Sequence, residues 1–391
     1  MKIFIIAGED SGDKLGSAII HSLREKLDNP PSFVGIGGTA MTNHGLNSIF
    51  LMSELSVMGF VEIAYNYKNL KKRLDQTVSA ILDEKPDILL TIDSPEFCFR
   101  VAKKVKVVNK SIPIVHYVAP TVWAWRPKRA RAISNYIDHV MALFPFEPPY
   151  FHRVGLSCDF VGHPIVSEEI ATDENIVDLK KEYSLSDEPT ILCLPGSRKS
   201  EIDRLMPTFG ESLIKFSRLI PNANFILPST PHLYEYSKQY LKFLPSNTVF
   251  LSPEEIGVEK YLAFKKASFK ISDLALAASG TVSLELAANN TPMVIGYDMS
   301  YFSRQIVQLM MLTNTVTLVN LITGNRHIPE CIGVNFNSDK LFLELVRIYS
   351  NRKNQLKDFA TTMNLLGRDH IAPNDRAANS LISFYKEFKT V

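Results

Sequence analysis

Long apolar runs are absent from this chain of 391 residues. No stretch of about 18 consecutive apolar residues occurs, so we expect no helix that crosses a bilayer. The first residues, MKIFIIAGED, turn polar after a handful of apolar positions, which predicts a first β-strand and not a signal peptide. The expectation is a cytoplasmic protein, and an association with the surface of a membrane stays open.

Cysteine is scarce, and no charge of one sign dominates. The four cysteines are scattered and form no CxxC pair, so neither a disulfide framework nor a metal site is predicted. The 43 Lys and Arg residues stand against 41 Asp and Glu residues, which leaves a formal net charge of +2. This balance excludes the strong overall field that attracts nucleic acid, and any contact with a phosphate or a membrane has to be local.

Short apolar or β-branched runs alternate with longer amphipathic stretches, the pattern of parallel strands joined by crossover helices. The length and the 46% hydrophobic content suffice for two domains. The predicted fold class is therefore α/β, with two Rossmann-like domains facing a cleft. The predicted strands are Lys2–Ala7, Ser32–Ile36, Ile88–Ile92, Pro113–Tyr117, His139–Ala142, Thr190–Leu194, Asn224–Pro228, Thr248–Leu251, Leu274–Ala277 and Met293–Tyr297.

An acidic, turn-rich stretch separates the two halves, and we predict the domain boundary near Ile165. The N-terminal domain is expected to span residues 1–165 and the C-terminal domain residues 166–338. The remaining segment, 339–391, carries helical patterns only and is expected to pack across another part of the molecule or a second copy of the chain. This layout alone does not identify a function, because enzymes and non-enzymes share it.

The first strand runs into AGEDSGDKLG, where a helix is expected to begin. Glu9, Asp10 and Asp13 oppose the binding of an anion at that turn, so no nucleotide is expected there. Glu9 and Ser11 can instead contact sugar hydroxyls, and the alternative is a helix cap by Asp10 or Ser11. A second glycine loop, GIGGTAM, lets the backbone approach a ligand or another loop closely, although a plain tight turn is equally consistent.

Val57, Met58, Phe60 and Val61 precede a basic cluster in LSVMGFVEIAYNYKNLKKRL. Apolar side chains beside Lys and Arg suit an element that enters the acyl region of a membrane and meets anionic head groups. A core helix with a solvated basic end is the alternative, and the periodicity alone slightly favours it.

Two motifs of the first half are candidates for chemistry. Asp93 ends the strand ILLTID, where a carboxylate faces the crevice in which parallel sheets bind ligands. It can act as a general base on an attacking hydroxyl, and a turn or N-cap role is equally consistent. Trp123 belongs to HYVAPTVWAWRPKR, and it can form a platform for a sugar or an acyl chain. Its burial as a hydrophobic plug is the alternative.

The motif CLPGSRKSEIDRLMP is the clearest local signal in the second half. Free N–H groups after Ser197, the helix dipole and the guanidinium of Arg198 converge where a diphosphate can lie. Phosphate binding is favoured over a structural turn. The pattern GxxxxGK[ST] is missing, which excludes a P-loop ATPase.

The motif ALAASGTVSLELAANNTPMV predicts a second phosphate loop. Ser279, Gly280 and Thr281 are expected to open a helix, and Glu285 lies one turn further along, where it can meet a ribose diol. A simple N-cap with a solvent-facing Glu is the alternative. Asn320, in a predicted loop, can add a contact with a base or a phosphate.

At these motifs the chain resembles the lipid-A-disaccharide synthase family, glycosyltransferase family 19. The matching pieces run in family order from residue 3 to about residue 326, and they include AGEDSGDKLG, GIGGTAM, IDSPEF, HYVAPTVWAWRPKRA, LPGSRKSEI, ASGTVSLELA and VNLITG. The resemblance implies a GT-B fold, no cofactor and an inverting reaction at the inner membrane. UDP-2,3-diacylglucosamine would donate its sugar to the 6-hydroxyl of 2,3-diacylglucosamine 1-phosphate, giving a β-1,6-linked disaccharide and UDP.

The resemblance also implies residue roles. It makes Asp93 the catalytic base, sets Arg198 at the leaving diphosphate, assigns Glu285 and Asn320 to the UDP site, and brings the apolar segment 57–63 to the membrane. The C-terminal segment is only loosely similar to the family, whose dimers exchange this segment, so a homodimer stays open. A UDP-sugar 2-epimerase and a non-catalytic nucleotide-sugar-binding protein of the membrane surface are the alternatives.

Overall fold

A computed structural model describes residues 1–55, 60–124, 126–230, 233–299 and 313–390, with the backbone alone for 60–67. The chain divides into two compact units. The first comprises Met1–Pro164 and Leu366–Val391, and the second comprises Ile165–Leu365. Among the described residues, none of the helices combines the length and the apolar character that crossing a bilayer requires.

The first unit is built on a parallel sheet of seven strands. They are β1 (Lys2–Ala7), β2 (Ser32–Ile36), β3 (Asn47–Ser48), β4 (Ile88–Ile92), β5 (Ile114–Tyr117), β6 (His139–Ala142) and β7 (Ser157–Phe160), in the order β3-β2-β1-β4-β5-β6-β7. The helices between them are α1 (Asp10–Lys26), α2 (Thr39–Asn43), α3 (Phe60–Glu84), α4 (Pro95–Val108), α5 (Lys128–Ile133) and α6 (Pro148–His152).

The second unit is built on a parallel sheet of six strands. They are β8 (Thr190–Leu194), β9 (Asn224–Pro228), β10 (Thr248–Leu251), β11 (Leu274–Ala277), β12 (Met293–Tyr297) and β13 (Glu330–Ile332), in the order β10-β9-β8-β11-β12-β13. Its helices are α7 (Asp173–Glu182), α8 (Lys199–Leu219), α9 (Tyr234–Lys238), α10 (Pro253–Ile256), α11 (Val258–Ile271), α12 (Val282–Ala288), α13 (Leu318–Thr323), α14 (Ser338–Ser350) and α15 (Lys353–Leu365). Short 3-10 helices span Met52–Glu54, Pro164–Ser167, Leu241–Phe243 and Gly333–Asn335.

All ten predicted strands are confirmed, nine of them with the predicted bounds, and β5 begins one residue later than expected. The pattern did not predict β3, β7 or β13. Each of these lies at an edge of its sheet and has only two to four residues. Edge strands are covered on fewer sides, so short ones lack the continuous apolar run that marks a central parallel strand.

The chain returns to the first unit for its last helix, α16 (Pro373–Thr390), which packs against α1. The hydroxyl of Ser380 donates to Asp159 Oδ2 at 2.7 Å and lies 2.9 Å from His139 Nε2. Arg376 Nη2 donates to the carbonyl of Phe160 at 2.7 Å. The helical C-terminal segment is therefore divided, with α14 and α15 in the second unit and α16 in the first.

Each sheet has one point at which its strand order reverses, between β1 and β4 in the first unit and between β8 and β11 in the second. Loops that leave two neighbouring strands in opposite directions open a crevice at their carboxyl ends, and open parallel sheets bind ligands there. The fold therefore points to one candidate site in each unit.

Candidate active site

The loop Pro195–Arg198 joins β8 to the 21-residue helix α8 in the second unit. Gly196 has a φ of +105°, which turns the chain sharply and favours glycine. Arg198 is the extended N-cap, and its side chain makes no capping hydrogen bond. The first N–H groups of an α-helix have no acceptor four residues back, so those of Lys199 and Ser200 can meet an anion beside the Arg198 guanidinium.

The loop Ser279–Thr281 joins β11 to α12 beside this first loop. Ser279 Oγ donates to the carbonyl of Val316 at 3.0 Å, and Gly280 has a φ of +159° with open space where a side chain would begin. Thr281 does not cap the helix through its side chain. The simple N-cap considered for this motif is therefore absent, and its polar groups lie at the crevice.

A cavity of about 410 Å³ lies between the two loops. This volume falls in the range of small-molecule sites. The end of β9 and one face of α11 complete its lining, the latter through Tyr261, Lys265 and Phe269. Lys265 Nζ lies 3.6 Å from Glu285 Oε2, and both side chains are about one-third exposed. The structure thus brings together Ser197, Arg198, Ser279, Gly280, Thr281 and Glu285 around one cavity.

The crevice of the first unit contains Glu9 and Asp93. Burial raises the pKa of the Asp93 carboxyl, and burial together with repulsion from Asp93 and Asp10 raises the pKa of Glu9. Asp93 and Ser94 both have positive φ values, +50° and +42°, which cost free energy for residues other than glycine. This turn directs the chain from β4 into α4 at the carboxyl edge of the sheet.

Comparison with known proteins decides the family. The model of the lipid-A-disaccharide synthetase family matches residues 3–380. The lipid-A-disaccharide synthase of Ruegeria pomeroyi is 44% identical over 382 residues, covering 98% of this chain and 95% of that protein. The chain belongs to the lipid-A-disaccharide synthetase family. The synthase of Rhodospirillum centenum is 38% identical over 385 residues, with coverage of 97% and 94%. This member of the family is a glycosyltransferase of lipid A biosynthesis, acting on a UDP-sugar and a lipid acceptor.

Solved structures of low sequence identity share the fold. The S. aureus MnaA–UDP co-structure has a TM-score of 0.64 at 13% identity, covering 100% of this chain and 97% of that chain. The UDP-GlcNAc 2-epimerase of Neisseria meningitidis, bound to UDP-GlcNAc, has a TM-score of 0.64 at 12% identity, with coverage of 99% and 100%. The GT-B fold predicted for this member of the lipid-A-disaccharide synthetase family is confirmed, whereas the epimerase function is not favoured.

Asn320 of this lipid-A-disaccharide synthetase family member lies in α13 and is fully buried, so the predicted loop is wrong. Its amide nitrogen donates to the Ile328 carbonyl at 2.9 Å and to Glu330 Oε1 at 3.1 Å. Its amide oxygen accepts from Ile328 N at 3.2 Å. These bonds engage the side chain with the β13 strand and the turn before it, and they leave its proposed contact with UDP without structural support. A helix of six residues is too short to show a clear period in the sequence.

Trp123 is also buried, with 8% of its surface exposed. Its indole N–H donates to Glu147 Oε1 at 3.0 Å, and the backbone N–H of Phe144 donates to Glu147 Oε2 at 3.0 Å. Burial raises the pKa of Glu147 to about 7. The structure favours the plug over the platform, because the polar edge of the ring is already engaged inside the first unit.

The first turn of α1 is not capped by a side chain, so the cap by Asp10 or Ser11 is wrong. Asp13 instead reaches the second glycine loop, where its carboxylate accepts hydrogen bonds from the N–H groups of Gly38, Ala40 and Met41 at 2.8, 2.8 and 3.1 Å. The second glycine loop therefore packs against the first turn of α1. Glu9 and Ser11 follow the carboxyl end of β1, and both are exposed.

The predicted membrane segment falls largely outside the described part of the chain. Val57 and Met58 lie outside the described residues, and Phe60 and Val61 belong to the first turn of α3, where only the backbone is described. Further along α3, Arg73 Nη2 forms an ion pair with Glu54 Oε1 at 2.6 Å. The side chains of Lys68, Lys71 and Lys72 on the same helix are exposed.

Sequence reasoning missed several residues of the cavity, among them Glu201, Tyr261 and Lys265. Glu201 belongs to the motif CLPGSRKSEIDRLMP, but its spacing from Ser197 and Arg198 did not indicate that it lines the cavity. Tyr261 and Lys265 come from α11, whose sequence carries no motif, and only the packing of α11 brings them to the cavity. Within the described residues, no group of three His, Cys, Asp or Glu side chains is arranged to hold a metal ion.

Proposed function

We propose that this chain transfers a 2,3-diacylglucosamine unit from its UDP derivative to the 6-hydroxyl of 2,3-diacylglucosamine 1-phosphate. The products are the β-1,6-linked lipid A disaccharide 1-phosphate and UDP. The observation that carries the proposal is the cavity of the second unit, where Arg198, a helix N-terminus and Glu285 surround a space large enough for a nucleotide. Membership of the family supplies the class of reaction.

UDP is proposed to bind with its diphosphate between the loops at Ser197 and Ser279. Backbone N–H groups at a helix start and a guanidinium are suited to phosphate oxygens, because they offer several donors and a positive charge. Glu285 can accept hydrogen bonds from the ribose diol, and Lys265 beside it holds its carboxylate at the cavity. Phe269 supplies apolar surface to the same wall.

Asp93 is proposed to act as the general base. The 6-oxygen of the acceptor attacks the anomeric carbon of the donor, its proton passes to the Asp93 carboxylate, and the bond from the anomeric carbon to the UDP oxygen breaks with inversion. Burial raises the pKa of Asp93, which makes its carboxylate a stronger base than that of a free aspartate. Arg198 and the N–H groups of the first turn of α8 stabilise the negative charge on the departing UDP.

The acceptor and the acyl chains are proposed to approach from the membrane. Glu9 and Ser11 can contact sugar hydroxyls beside Asp93, and segment 57–63 is proposed to enter the acyl region of the inner membrane from the cytoplasmic side. The exposed lysines of α3 suit anionic head groups there. A homodimer through the C-terminal helices is part of the same proposal.

The test is acceptor-dependent release of UDP from UDP-2,3-diacylglucosamine, measured for the wild type and for Asp93→Asn. We expect disaccharide and UDP from the wild type and a loss of about 10²- to 10⁴-fold in kcat for the variant. Because the base has to be ionised, wild-type kcat/KM should rise with pH through an acid limb above pH 3.8, and Asp93→Asn should lose that limb.

Asp187→Asn is the matched control, since that side chain is fully exposed at 102% of its reference area. It should keep wild-type turnover. UDP release that does not need the acceptor would indicate hydrolysis, and full activity of Asp93→Asn would contradict its assignment as the base.

A further inference from the structure

Glu201 has a carboxylate that lies in the phosphate loop itself. It is the third residue of α8, and its Oε2 accepts a hydrogen bond from the backbone N–H of Ser197 at 3.0 Å. Its Oε1 lies 3.6 Å from Arg198 Nη1 and accepts a hydrogen bond from the hydroxyl of Tyr297 at 3.3 Å. The side chain is only 15% exposed, and the residue lines the cavity.

Gly196 makes room for this carboxylate. A Cβ atom at position 196 would stand 2.3 Å from Glu201 Oε2 and 2.9 Å from Glu201 Cβ, distances that real side chains do not adopt. The glycine is therefore required twice, once for its φ of +105° and once for the space that the carboxylate occupies. The conformation of the turn therefore depends on the position of the Glu201 carboxylate.

The same carboxylate engages groups that a diphosphate would use. An incoming diphosphate is attracted by the Ser197 N–H and by the Arg198 guanidinium, and both already face Glu201. We propose that Glu201 is an internal anion that competes with the diphosphate of UDP for these donors. In the empty site it satisfies them, and in the occupied site it weakens UDP binding and promotes the departure of the product. This inference rests on the proposed UDP site.

The change in UDP affinity on removal of the Glu201 charge distinguishes competition with the diphosphate from simple support of the loop. If Glu201 only held the loop in shape, its loss would remove a hydrogen bond from Ser197 and UDP would bind more weakly. If it competes, removal of its negative charge releases Arg198 and ends a like-charge repulsion, so UDP binds more tightly. Gln is the informative replacement, since its amide oxygen can still accept from Ser197 and its size is the same.

The experiment measures the Kd of UDP by calorimetry at pH 8, where the phosphate groups are ionised. For Glu201→Gln we expect UDP to bind about tenfold more tightly than to the wild type, and the gain should shrink at high salt. The Kd of uridine, which carries no phosphate, should be unchanged. Thermal unfolding of both proteins should coincide.

Glu211→Gln is the matched control, because it removes the same charge from the same helix at a side chain that is 61% exposed and paired with Lys215. It should leave the Kd of UDP unchanged. Weaker or unaltered UDP binding by Glu201→Gln would overturn the inference while the UDP site stands. A wild-type protein that binds no UDP would overturn the proposed site and this inference with it.

Discussion

At the scale of single residues, Arg198 can be tested separately from the fold. Its side chain is 72% exposed, and its ion pair with Glu201 is long at 3.6 Å, so it contributes little to stability. Its position beside the start of α8 allows it to stabilise a bound anion. Catalysis and folding should therefore respond differently to its removal.

Arg198→Ala should lower kcat by about 10²- to 10³-fold, because a charge-stabilising group at the leaving diphosphate is lost. The thermal unfolding temperature should stay within about 1 °C of the wild type, in keeping with the small stability of exposed ion pairs. Steady-state release of UDP and calorimetric melting provide the two measurements.

Arg204→Ala is the control for this change, since Arg204 lies on the same helix, is 42% exposed and pairs with Asp298. It should retain wild-type kcat. Near-normal turnover of Arg198→Ala would remove Arg198 from the leaving-group role.

The sequence indicated the position of some candidate site residues better than that of others, and the reason is physical. Ser197 and Arg198 were predicted to bind a diphosphate, and both line the cavity. The signal is local, because a glycine turn at the start of a helix presents backbone N–H groups within one segment of chain. The sequence did not show that Asn320 and Trp123 are buried, because their hydrogen-bond partners, Ile328 and Glu147 among them, come from other segments. A polar side chain does not reveal in sequence whether it faces a ligand or a buried partner.

At the scale of elements, Asp13 connects α1 with the loop that begins α2. It is 5% exposed, and its carboxylate accepts from three backbone N–H groups, those of Gly38, Ala40 and Met41. Buried N–H groups without acceptors are costly, so this one side chain stabilises the entire loop.

Asp13→Ala should lower the free energy of unfolding of the first unit by about 2–4 kcal/mol, because three N–H groups lose a charged acceptor. Urea unfolding followed by tryptophan fluorescence measures this unit, since both tryptophans of the chain lie in its range. Asp13→Asn keeps one acceptor oxygen and should lose less.

The control is Asp10→Ala, a change of the same charge in the same helical turn at an exposed position. It should shift the urea midpoint only slightly. An Asp13→Ala protein as stable as this control would show that the loop does not depend on the carboxylate.

At the scale of the whole molecule, the first unit combines residues from two distant parts of the sequence, Met1–Pro164 and Leu366–Val391. Ala377, Ala378 and Leu381 of α16 are fully buried in that unit, and Asn374 Nδ2 donates to Ser22 Oγ at 2.8 Å. Residues more than 350 positions apart therefore complete one core. The stability of the N-terminal sheet should depend on the last helix.

Leu381→Ala should lower the free energy of unfolding of the first unit by about 2–5 kcal/mol, the cost of a cavity at a fully buried leucine. Removal of residues 366–391 should destabilise the unit further, which tryptophan fluorescence in urea would detect. Leu343→Ala, at a leucine of α14 that is 61% exposed, is the control and should have a minor effect. Unchanged stability of the truncated chain would contradict a structural role for α16.

The sequence by itself determined the α/β class, ten strands with nearly all of their bounds, the family, and the two loops that line the cavity of the second unit. These features are local, because apolar periodicity and glycine turns express themselves within one segment of chain. Only the tertiary structure decided that α16 completes the first unit, that Asp13 holds a distant loop, that Trp123 is buried on Glu147, and that α11 forms a wall of the cavity. Each of these features depends on packing and hydrogen bonds between segments far apart in sequence. A pattern within one segment does not show which distant residue its side chains contact.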